Sequence, residues 1–366
     1  GFVGGLLAGY NYMLTSRWLL GIEGDGSWSD LAHKGDFNDS AGDSFTVNVK
    51  QKQAYSVRAR FGYLLAPETL LFATAGWSWA QFTYSLNSNF LGSESDSRWF
   101  NGPQVGAGIE TMVASGWIAR LEYLQSFYNA EAFNAPIINS FLGSPLETRP
   151  SIGIGRVALI YKFGQGNPSP WQAPVAAPSW NGFYAGGAIG AGIANAKIEL
   201  VGGPPNAVDG IGFPGVFPIA MAGYDWRFAQ HWVLSAEGEV APGISTADFA
   251  VDWTAALRGR LGYLLTSTTM LYGSAGWVTT GIRTTSIVSD VVTIPSQRVN
   301  ALELGAGVET AIDNHWLARF DYQFAFAGTI NDVTFNVNAP FVTTGTVSAH
   351  PRFHYARLGL VYLFDN

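Results

Sequence analysis

Apolar and polar residues alternate with a period of two along much of the chain. In residues 55–65 the apolar side chains fall on one face, and Arg58 and Arg60 fall on the other. Segments 117–123 and 302–310 alternate in the same way. This period is typical of strands with one apolar and one polar side. The sequence therefore predicts an all-β fold of antiparallel strands.

The pattern occurs twice. SVRARFGYLL at 56–65 returns as ALRGRLGYLL at 256–265, and GRVALIYKF at 155–163 returns as ARLGLVYLF at 356–364. Self-similarity of this kind marks a duplication, which decides the whole fold. The predicted units are a first repeat at 1–163, a Pro/Ala-rich linker at 164–179 and a second repeat at 180–366.

The two repeats differ at their beginnings. The second repeat opens with the strand-like stretch WNGFYAGGAIGAG at 180–192, which has no counterpart in the first. By alternation and turn signals we count about seven strands in the first repeat and about eight in the second. We therefore expect one further strand to precede Gly1.

Short turns alternate with long polar or Gly/Pro-rich segments. The predicted short turns lie near Thr15–Ser16, Ala66–Glu68, Ser115–Gly116, Ala229–Gln230, Ser267–Thr268 and Asp313–Asn314. The predicted long loops lie at about 29–49, 85–98, 130–148, 194–214, 284–297 and 329–348. Tight turns at one end and long loops at the other are typical of a transmembrane β-barrel.

Composition supports a membrane barrel with lipid outside. Charged residues make up 13% of the chain, against roughly 25% in soluble proteins, and tryptophans near the strand ends would form interfacial girdles. Cysteine is absent, so no disulfide or thiolate site is possible. The girdle tryptophans are Trp18, Trp77, Trp79, Trp117, Trp232, Trp277 and Trp316.

The polar face carries arginines and carboxylates in nearly equal numbers. Pointing into a narrow lumen, they are expected to pair as a salt-bridge network, because the arginine fork suits bidentate carboxylate binding. A charged ring in an open pore is the alternative. The network residues are Glu23, Arg58, Arg60, Glu110, Arg120, Glu122, Arg156, Glu237, Arg258, Arg260, Glu309, Arg319, Asp321 and Arg357. The carboxylates of Asp25, Glu239 and Glu303 lie on the same polar face.

Two of the predicted loops carry candidate binding residues. The segment 201–218 is unusually apolar, and we expect it to contact a partner chain. The segment 29–49 contains four aspartates, whose spacing fits no known calcium loop, so we expect a solvated acidic loop and no metal site. The partner-contact candidates are Ile211, Phe213, Val216 and Phe217, and the aspartates are Asp30, Asp36, Asp39 and Asp43.

Several function classes are disfavoured. The formal net charge of −7 argues against a nucleic-acid partner, which favours a basic face. The histidines have no spacing that indicates a catalytic set, and GAGIE and GAGVE lack the lysine of a phosphate-binding loop. We therefore predict neither an enzyme nor a cofactor.

The motifs together carry a resemblance. WNGFYAGGAIGAG, the paired arginine strands and the terminal RVALIYKF make the chain similar to the porin-like outer-membrane β-barrels of alphaproteobacteria, which have OmpA-type eight-stranded barrels. The resemblance implies a location in the bacterial outer membrane. It also implies that Phe163 and Phe364 act as terminal aromatics read by the barrel-assembly machinery, although Asp365 and Asn366 follow the second one.

Two architectures and two roles remain open from sequence alone. We favour two tandem eight-stranded up-and-down barrels, and one sixteen-stranded barrel is the alternative. The favoured role is structural, with display of extracellular loops and packing against lipid, lipopolysaccharide, a further copy or a partner protein. The alternative role is that of a porin for passive diffusion of solutes.

Overall fold

A computed structural model describes residues 1–38, 42–163, 177–201, 207–245, 249–284, 292–293, 297–337 and 343–364. The elements of the first repeat are β1 (Val3–Met13), β2 (Trp18–Ser29), β3 (Ala32–Asn38), β4 (Ser44–Ala66), β5 (Thr69–Ser88), β6 (Gly92–Ala114), β7 (Trp117–Phe127), β8 (Glu131–Ala132), α1 (Pro136–Leu142), β9 (Glu147–Thr148) and β10 (Ser151–Tyr161). Those of the second are β11 (Gly182–Val201), β12 (Ala207–Arg227), β13 (Trp232–Ser245), β14 (Phe249–Leu264), β15 (Thr269–Thr284), β16 (Val292–Thr293), β17 (Gln297–Ala311), β18 (Trp316–Ala327), β19 (Ile330–Val337) and β20 (Thr343–Leu363).

The second repeat is a closed antiparallel barrel. Its principal strands follow one another around the barrel in chain order, and β11 pairs with β20 from Tyr184↔Leu363 to Val201↔Thr346. The fold class is thus confirmed, and the alternative of a single sixteen-stranded barrel is wrong, because the first and last strands of this repeat close on each other. The ring consists of β11, β12, β13, β14, β15, β17, β18 and β20.

The first repeat is an open sheet of the same kind. Among the residues that the structure describes, β1 pairs only with β2 and β10 pairs only with β7, which leaves a seam between β1 and β10. In the second repeat β11 lies at the equivalent place, between β12 and β20. The order across the open sheet is β1, β2, β4, β5, β6, β7 and β10.

Most of the predicted long loops are extensions of strands. Strands β5 and β6, for example, continue to Ser88 and from Gly92, so residues 85–98 are mainly a hairpin. The segment 130–148 contains β8, α1 and β9. Outside the hydrocarbon region an extended sheet need not carry one apolar face, so the alternation that marks the spanning part of a strand fades in sequence.

The side-chain orientations follow the predicted alternation. On β2, Trp18 and Leu20 are exposed on the outer face, whereas Glu23 is buried. The second repeat repeats this with Trp232 and Leu234 outside and Glu237 inside. No helix within the described ranges is long and apolar enough to cross a membrane.

The outer faces of the two repeats are in contact. Ile109 and Leu121 of the first repeat are only 1% and 8% exposed, and Val308 and Phe320 of the second are 4% and 2% exposed. All four belong to one apolar cluster that joins the repeats. The extended ends are also joined, since β3 pairs with β12 at Ala207↔Asp36.

Candidate functional site

Two buried ionic networks fill the interiors of the repeats. In the first repeat the Arg58 guanidinium lies 2.5 Å from the Glu23 carboxylate and 2.7 Å from that of Asp25. Its Nη1 also donates to Gln104 Oε1 at 3.1 Å. Arg60 lies 2.9 Å from Glu110. Alternation on β4 turns both arginines inward, so this strand supplies two of the four arginines in the interior of the first repeat.

The remaining arginines of the first repeat complete this network. The Arg120 guanidinium bridges Glu23 and Glu110, both at 2.6 Å. Arg156 lies 2.6 Å from Glu122. Here four arginines face four carboxylates, because Asp25 joins the predicted set.

The second repeat places equivalent arginines in the same way. Arg258 lies 2.9 Å from both Glu239 and Glu303. Arg260 lies 2.7 Å from Glu309 and 3.0 Å from Asp225. The arginine pair that recurs along the sequence therefore occupies the same position in each interior.

Two further arginines link the carboxylates across the second lumen. Arg319 contacts Glu237 and Glu309. The Arg357 Nε lies 2.5 Å from Asp321 Oδ1, and its Nη1 contacts Glu239. All of these groups are nearly inaccessible to solvent. The structure thus brings together every residue of the predicted set, each within the interior of its own repeat.

Sequence reasoning missed four members of the second network. Asp225 pairs with Arg260, and three tyrosines donate hydrogen bonds to lumen carboxylates. The signal for Asp225 was its equivalent Asn11, since both repeats carry a polar residue in AGYNY and AGYDW. The tyrosine contacts are Tyr184 to Glu237 at 2.8 Å, Tyr272 to Asp321 at 2.7 Å, and Tyr355 to Glu303.

Apolar side chains close the lumens on either side of the charges. At the tight-turn end of the second barrel, Trp180 is fully buried and its Nε1 donates to the Ser267 carbonyl at 2.9 Å. At the opposite end of the first repeat, Phe133 packs on Tyr84 and Phe100 with ring centroids 5.6 and 5.5 Å apart. Phe133 belongs to the segment carrying β8, α1 and β9, so this segment covers the mouth of the first repeat.

The residues expected to contact a partner chain lie on a strand, and their contact with a partner remains a prediction. Residues 207–227 form strand β12, on which Ile211 and Phe213 lie. Val216 is exposed on the strand, whereas Phe217 is half-buried and its ring lies 5.5 Å from that of Tyr355. Successive residues of a strand point to opposite faces, so Val216 lies on the outer face and Phe217 on the inner face.

The acidic segment also differs from the expectation of a loop. Asp36 lies on β3, 2.8 Å from Lys34, and accepts a hydrogen bond from Thr46 at 2.7 Å. Asp30 accepts a hydrogen bond from the Phe2 amide, and Asp39 lies outside the described residues. Within the described ranges no group of three histidine, aspartate or glutamate side chains could hold a metal ion.

The terminal aromatics stand at equivalent strand ends. Phe163 follows β10 and is 87% exposed, and Phe364 follows β20 and is 48% exposed. Their rings lie 5.1 and 5.3 Å from those of Tyr161 and Tyr362.

Comparison with known proteins gives relatives from the outer membrane. The sequence profile of the family described as outer membrane protein beta-barrel domain matches residues 1–139. The 31 kDa outer-membrane immunogenic protein of Brucella melitensis is 30% identical over 225 residues, which cover 54% of this chain and 88% of that protein. The 22 kDa outer membrane protein of Rhizobium leguminosarum is 31% identical, covering 42% of this chain and 67% of that protein.

Among solved structures, the outer membrane protein OprG from Pseudomonas aeruginosa aligns with 13% identity, 52% coverage of this chain, 100% coverage of that chain and a TM-score of 0.37. The Brucella relative is matched over nearly its whole length, and the architecture described above is that of a membrane barrel. The predicted resemblance and location are therefore confirmed: the chain belongs to the family of outer-membrane protein β-barrels and resides in the bacterial outer membrane.

Proposed function

We propose that this protein is a non-conducting structural element of the outer membrane, with lumens plugged by their own side chains. The single observation that carries the proposal is the second lumen, where all four arginines are at most 3% exposed. An eight-stranded barrel has an interior that side chains alone can fill. An ion crossing this lumen would have to displace several paired guanidinium groups from their carboxylates.

The apolar closures support the same role. Trp180 fills the tight-turn end of the second barrel, and Phe133 with its neighbours fills the outer mouth of the first repeat. An apolar layer in series with an ionic layer opposes a hydrated ion, which would lose its water without gaining ligands. In this role the outer faces and the strand extensions contact lipid, lipopolysaccharide or other proteins. Phe163 and Phe364 are the candidate contacts for the assembly machinery.

Planar-bilayer recording tests the proposal. The purified chain, shown to be folded by heat-modifiable migration in gels, is expected to give no stable conductance steps in concentrated KCl. The double variant Arg319→Ala/Glu237→Ala empties the centre of the second network and is expected to introduce leak. A matched control, Lys34→Ala/Asp36→Ala, removes an ion pair on the exposed extension and should stay silent.

Uniform, stable conductance steps from the unmodified chain would overturn the plugged-lumen proposal. They would favour the second candidate, a channel for passive diffusion. Because both lumens carry equivalent arginine networks, the size of such steps would then be compared with Arg58→Ala and Arg258→Ala to identify the conducting repeat.

A further inference from the structure

We propose that the contacting outer faces of the repeats form a homotypic docking surface, which holds the two barrels side by side in the membrane without help from the linker. The surface comprises a few outward positions on β5, β6, β7 and β10 and the equivalent positions on β15, β17, β18 and β20. In the first repeat they are Thr69, Ile109, Thr111, Leu121, Tyr123 and Gly155. Its partner is a second copy of the same kind of barrel, here supplied by the same chain. The proposal is independent of whether the lumens conduct.

The residues in contact occupy the same positions in the two repeats. Ile109 and Val308 are equivalent in the aligned GAGIE and GAGVE segments, and Leu121 and Phe320 are equivalent in WIARLEY and WLARFDY. All four are buried in one cluster. When the same patch on both partners meets itself, the interface has two-fold symmetry.

A row of threonines marks the centre of this symmetry. Thr69 and Thr269 are equivalent, and their hydroxyl oxygens lie 3.2 Å apart. Each bonds a further equivalent threonine on the neighbouring strand, Thr69 to Thr111 at 3.1 Å and Thr269 to Thr310 at 2.9 Å. All four are at most 1% exposed.

This row explains why the barrels associate in lipid. Burying apolar side chains against each other gains little there, because acyl chains are equally apolar, so close packing and polar contacts drive association. If the repeats were separated, the hydrogen bond between the Thr69 and Thr269 hydroxyls would be lost and both would face lipid. Both threonines begin strands at the tight-turn end, so the two barrels have the same orientation in the membrane.

Small residues give the surface its shape. A Cβ atom added at Gly155 on β10 would collide with the ring of Tyr322. The equivalent residue of the second repeat is Ala356, which is 6% exposed and lies in the cluster that contains Tyr123, the equivalent of Tyr322. Gly155 therefore leaves room for the ring of Tyr322, and Ala356 is the small residue at the equivalent place, in one cluster with Tyr123. We call the positions of Gly155 and Ala356 the notches.

The opposite side of each barrel provides the contrast. Leu20 and Leu234 are equivalent positions on outer faces and remain 46% and 44% exposed. Apolar character alone thus does not distinguish the docking surface from the lipid-facing surface. The docking surface is distinguished by the threonine row and by the small residues Gly155 and Ala356.

Cleavage of the linker in the assembled full chain tests the proposal. A protease site inserted in residues 164–179 is cut after folding in detergent, and the two pieces are expected to co-elute in size-exclusion chromatography. The chain has no cysteine, so in the variant Thr69→Cys/Thr269→Cys the two introduced cysteines can form only one intramolecular disulfide. We expect efficient oxidation to a cross-link in this variant and none in the control Thr69→Cys/Leu234→Cys.

Filling the notches should separate the cut pieces. Gly155→Phe/Ala356→Phe is expected to lower the co-eluting fraction by about tenfold, because the added rings overpack the two notches. The matched control Leu20→Phe/Leu234→Phe adds the same rings on the lipid-facing side and should leave the pair intact. Heat-modifiable migration verifies that each variant is folded.

Separation of the cut, unmodified protein overturns the proposal. So does the absence of a cross-link between positions 69 and 269, or an undisturbed pair in the folded notch variant.

Discussion

Arginine is the cation that the interior of each barrel requires. Arg260 lies with its guanidinium carbon 5.1 Å from the Tyr184 ring centre and 4.8 Å from that of Tyr272, while its edge binds carboxylates. A planar guanidinium can stack on a ring and donate in its own plane simultaneously, which a lysine ammonium cannot do. Substitution of these arginines by lysine is therefore not conservative.

The second lumen contains more carboxylates than guanidinium groups. Six carboxylates face the four arginines, whereas the first lumen has equal numbers. Glu237 contacts Arg258, Arg260 and Arg319. Glu303 forms an ion pair with one arginine among the described residues, Arg258, and accepts a hydrogen bond from Tyr355. The carboxylates of one lumen are thus not equally important.

We predict opposite outcomes for two conservative substitutions in this lumen. Glu237→Gln removes the carboxylate shared by three arginines and should lower the free energy of unfolding by about 3–5 kcal/mol, as for a broken buried ion pair. Glu303→Gln removes a surplus negative charge while keeping a hydrogen-bonding group, so it should be close to neutral. Urea unfolding in lipid vesicles, followed by tryptophan fluorescence, measures both.

The first repeat supplies the control for this prediction. Glu23 is the equivalent of Glu237 and also binds several arginines, so Glu23→Gln should be costly as well. Equal losses for Glu237→Gln and Glu303→Gln would contradict the unequal roles derived from the contacts.

For single residues, the sequence predicts which side of the sheet a side chain occupies but not which side chain it contacts. Alternation places Arg58 and Arg258 inside because the period of a strand is two. Which carboxylate each arginine meets depends on strand register and stagger across the barrel, and Arg120 meets Glu23 from a distant strand. The sequence does not predict Tyr184 as a lumen residue, because a tyrosine in a membrane strand is equally compatible with the lipid-facing side.

Among the elements, the segment with β8, α1 and β9 is held over the first repeat by two carboxylates of β6. Glu94 accepts hydrogen bonds from the amides of Ile137 and Ile138 at 2.8 and 3.0 Å. Asp96 accepts one from the Asn134 amide at 2.8 Å. Both contacts lie on the extension beyond the membrane-spanning part.

We predict that acid loosens this segment. Desolvation alone would raise the pKa of Asp96, but the bonds from the Asn134 amide and Arg98 outweigh it and hold the pKa below its ordinary 3.8. A lowered pKa contributes stability that is complete above the unfolded value and is lost as pH falls through the folded value. The Asn134 amide resonance in NMR should therefore shift as the solution is acidified below pH 3.8.

Asp96→Asn should remove that titration at Asn134 and leave the segment loosened at neutral pH. Asp36→Asn, on another extension, is the matched control and should leave the Asn134 titration unchanged. A pH-independent Asn134 resonance in the unmodified protein would contradict the prediction.

The seam between β1 and β10 is the element that differs most between the repeats. Arg156 at the seam is 20% exposed by its side chain, whereas its equivalent Arg357 beside β11 is 1% exposed. Open strand edges are unfavourable in hydrocarbon, which offers no hydrogen bonds. In the second repeat β11 pairs with both neighbouring edges at this position, so we expect the seam to accept a strand of β11-like sequence.

A peptide with the sequence of residues 180–193 should bind this seam in the chain of residues 1–366. In β11 the Tyr184 hydroxyl bonds Glu237, and Glu23 stands at the equivalent place in the first repeat. We therefore expect the Tyr184→Phe peptide to bind several-fold more weakly and a scrambled peptide not to bind, as measured by fluorescence anisotropy. Equal binding of all three peptides would contradict a specific strand site.

Strand existence was predictable from sequence, whereas strand length was not. The six tight turns lie between consecutive strands as predicted, for example between Ala66 and Thr69. The sequence predicts loops at 29–49 and 85–98, because water contacts both faces of the strand extensions there and removes the binary pattern. The strands of these extensions pair because they continue the hairpins of the membrane-spanning strands.

For the whole molecule, duplication was predictable and the docked arrangement of the repeats was not. The repeats are visible by comparing RARFGYLL with RGRLGYLL. The side of each barrel that meets the other carries the same apolar residue types as the side that meets lipid, as Leu121 and Leu20 show. Only the threonine row and the small residues distinguish the two sides, and single threonines are too common to indicate an interface by themselves.

The long hairpin of β5 and β6 makes the molecule a candidate scaffold for protein engineering. Its strands have 20 and 23 residues, of which about ten suffice to cross a bilayer. The remaining ten or so rise by roughly 3.3 Å per residue along a tilted strand, which lifts the turn at 89–91 about 25 Å above the hydrocarbon. A tag or binding peptide grafted at this turn would stand on a stiff hydrogen-bonded ribbon, accessible to large molecules without an added spacer.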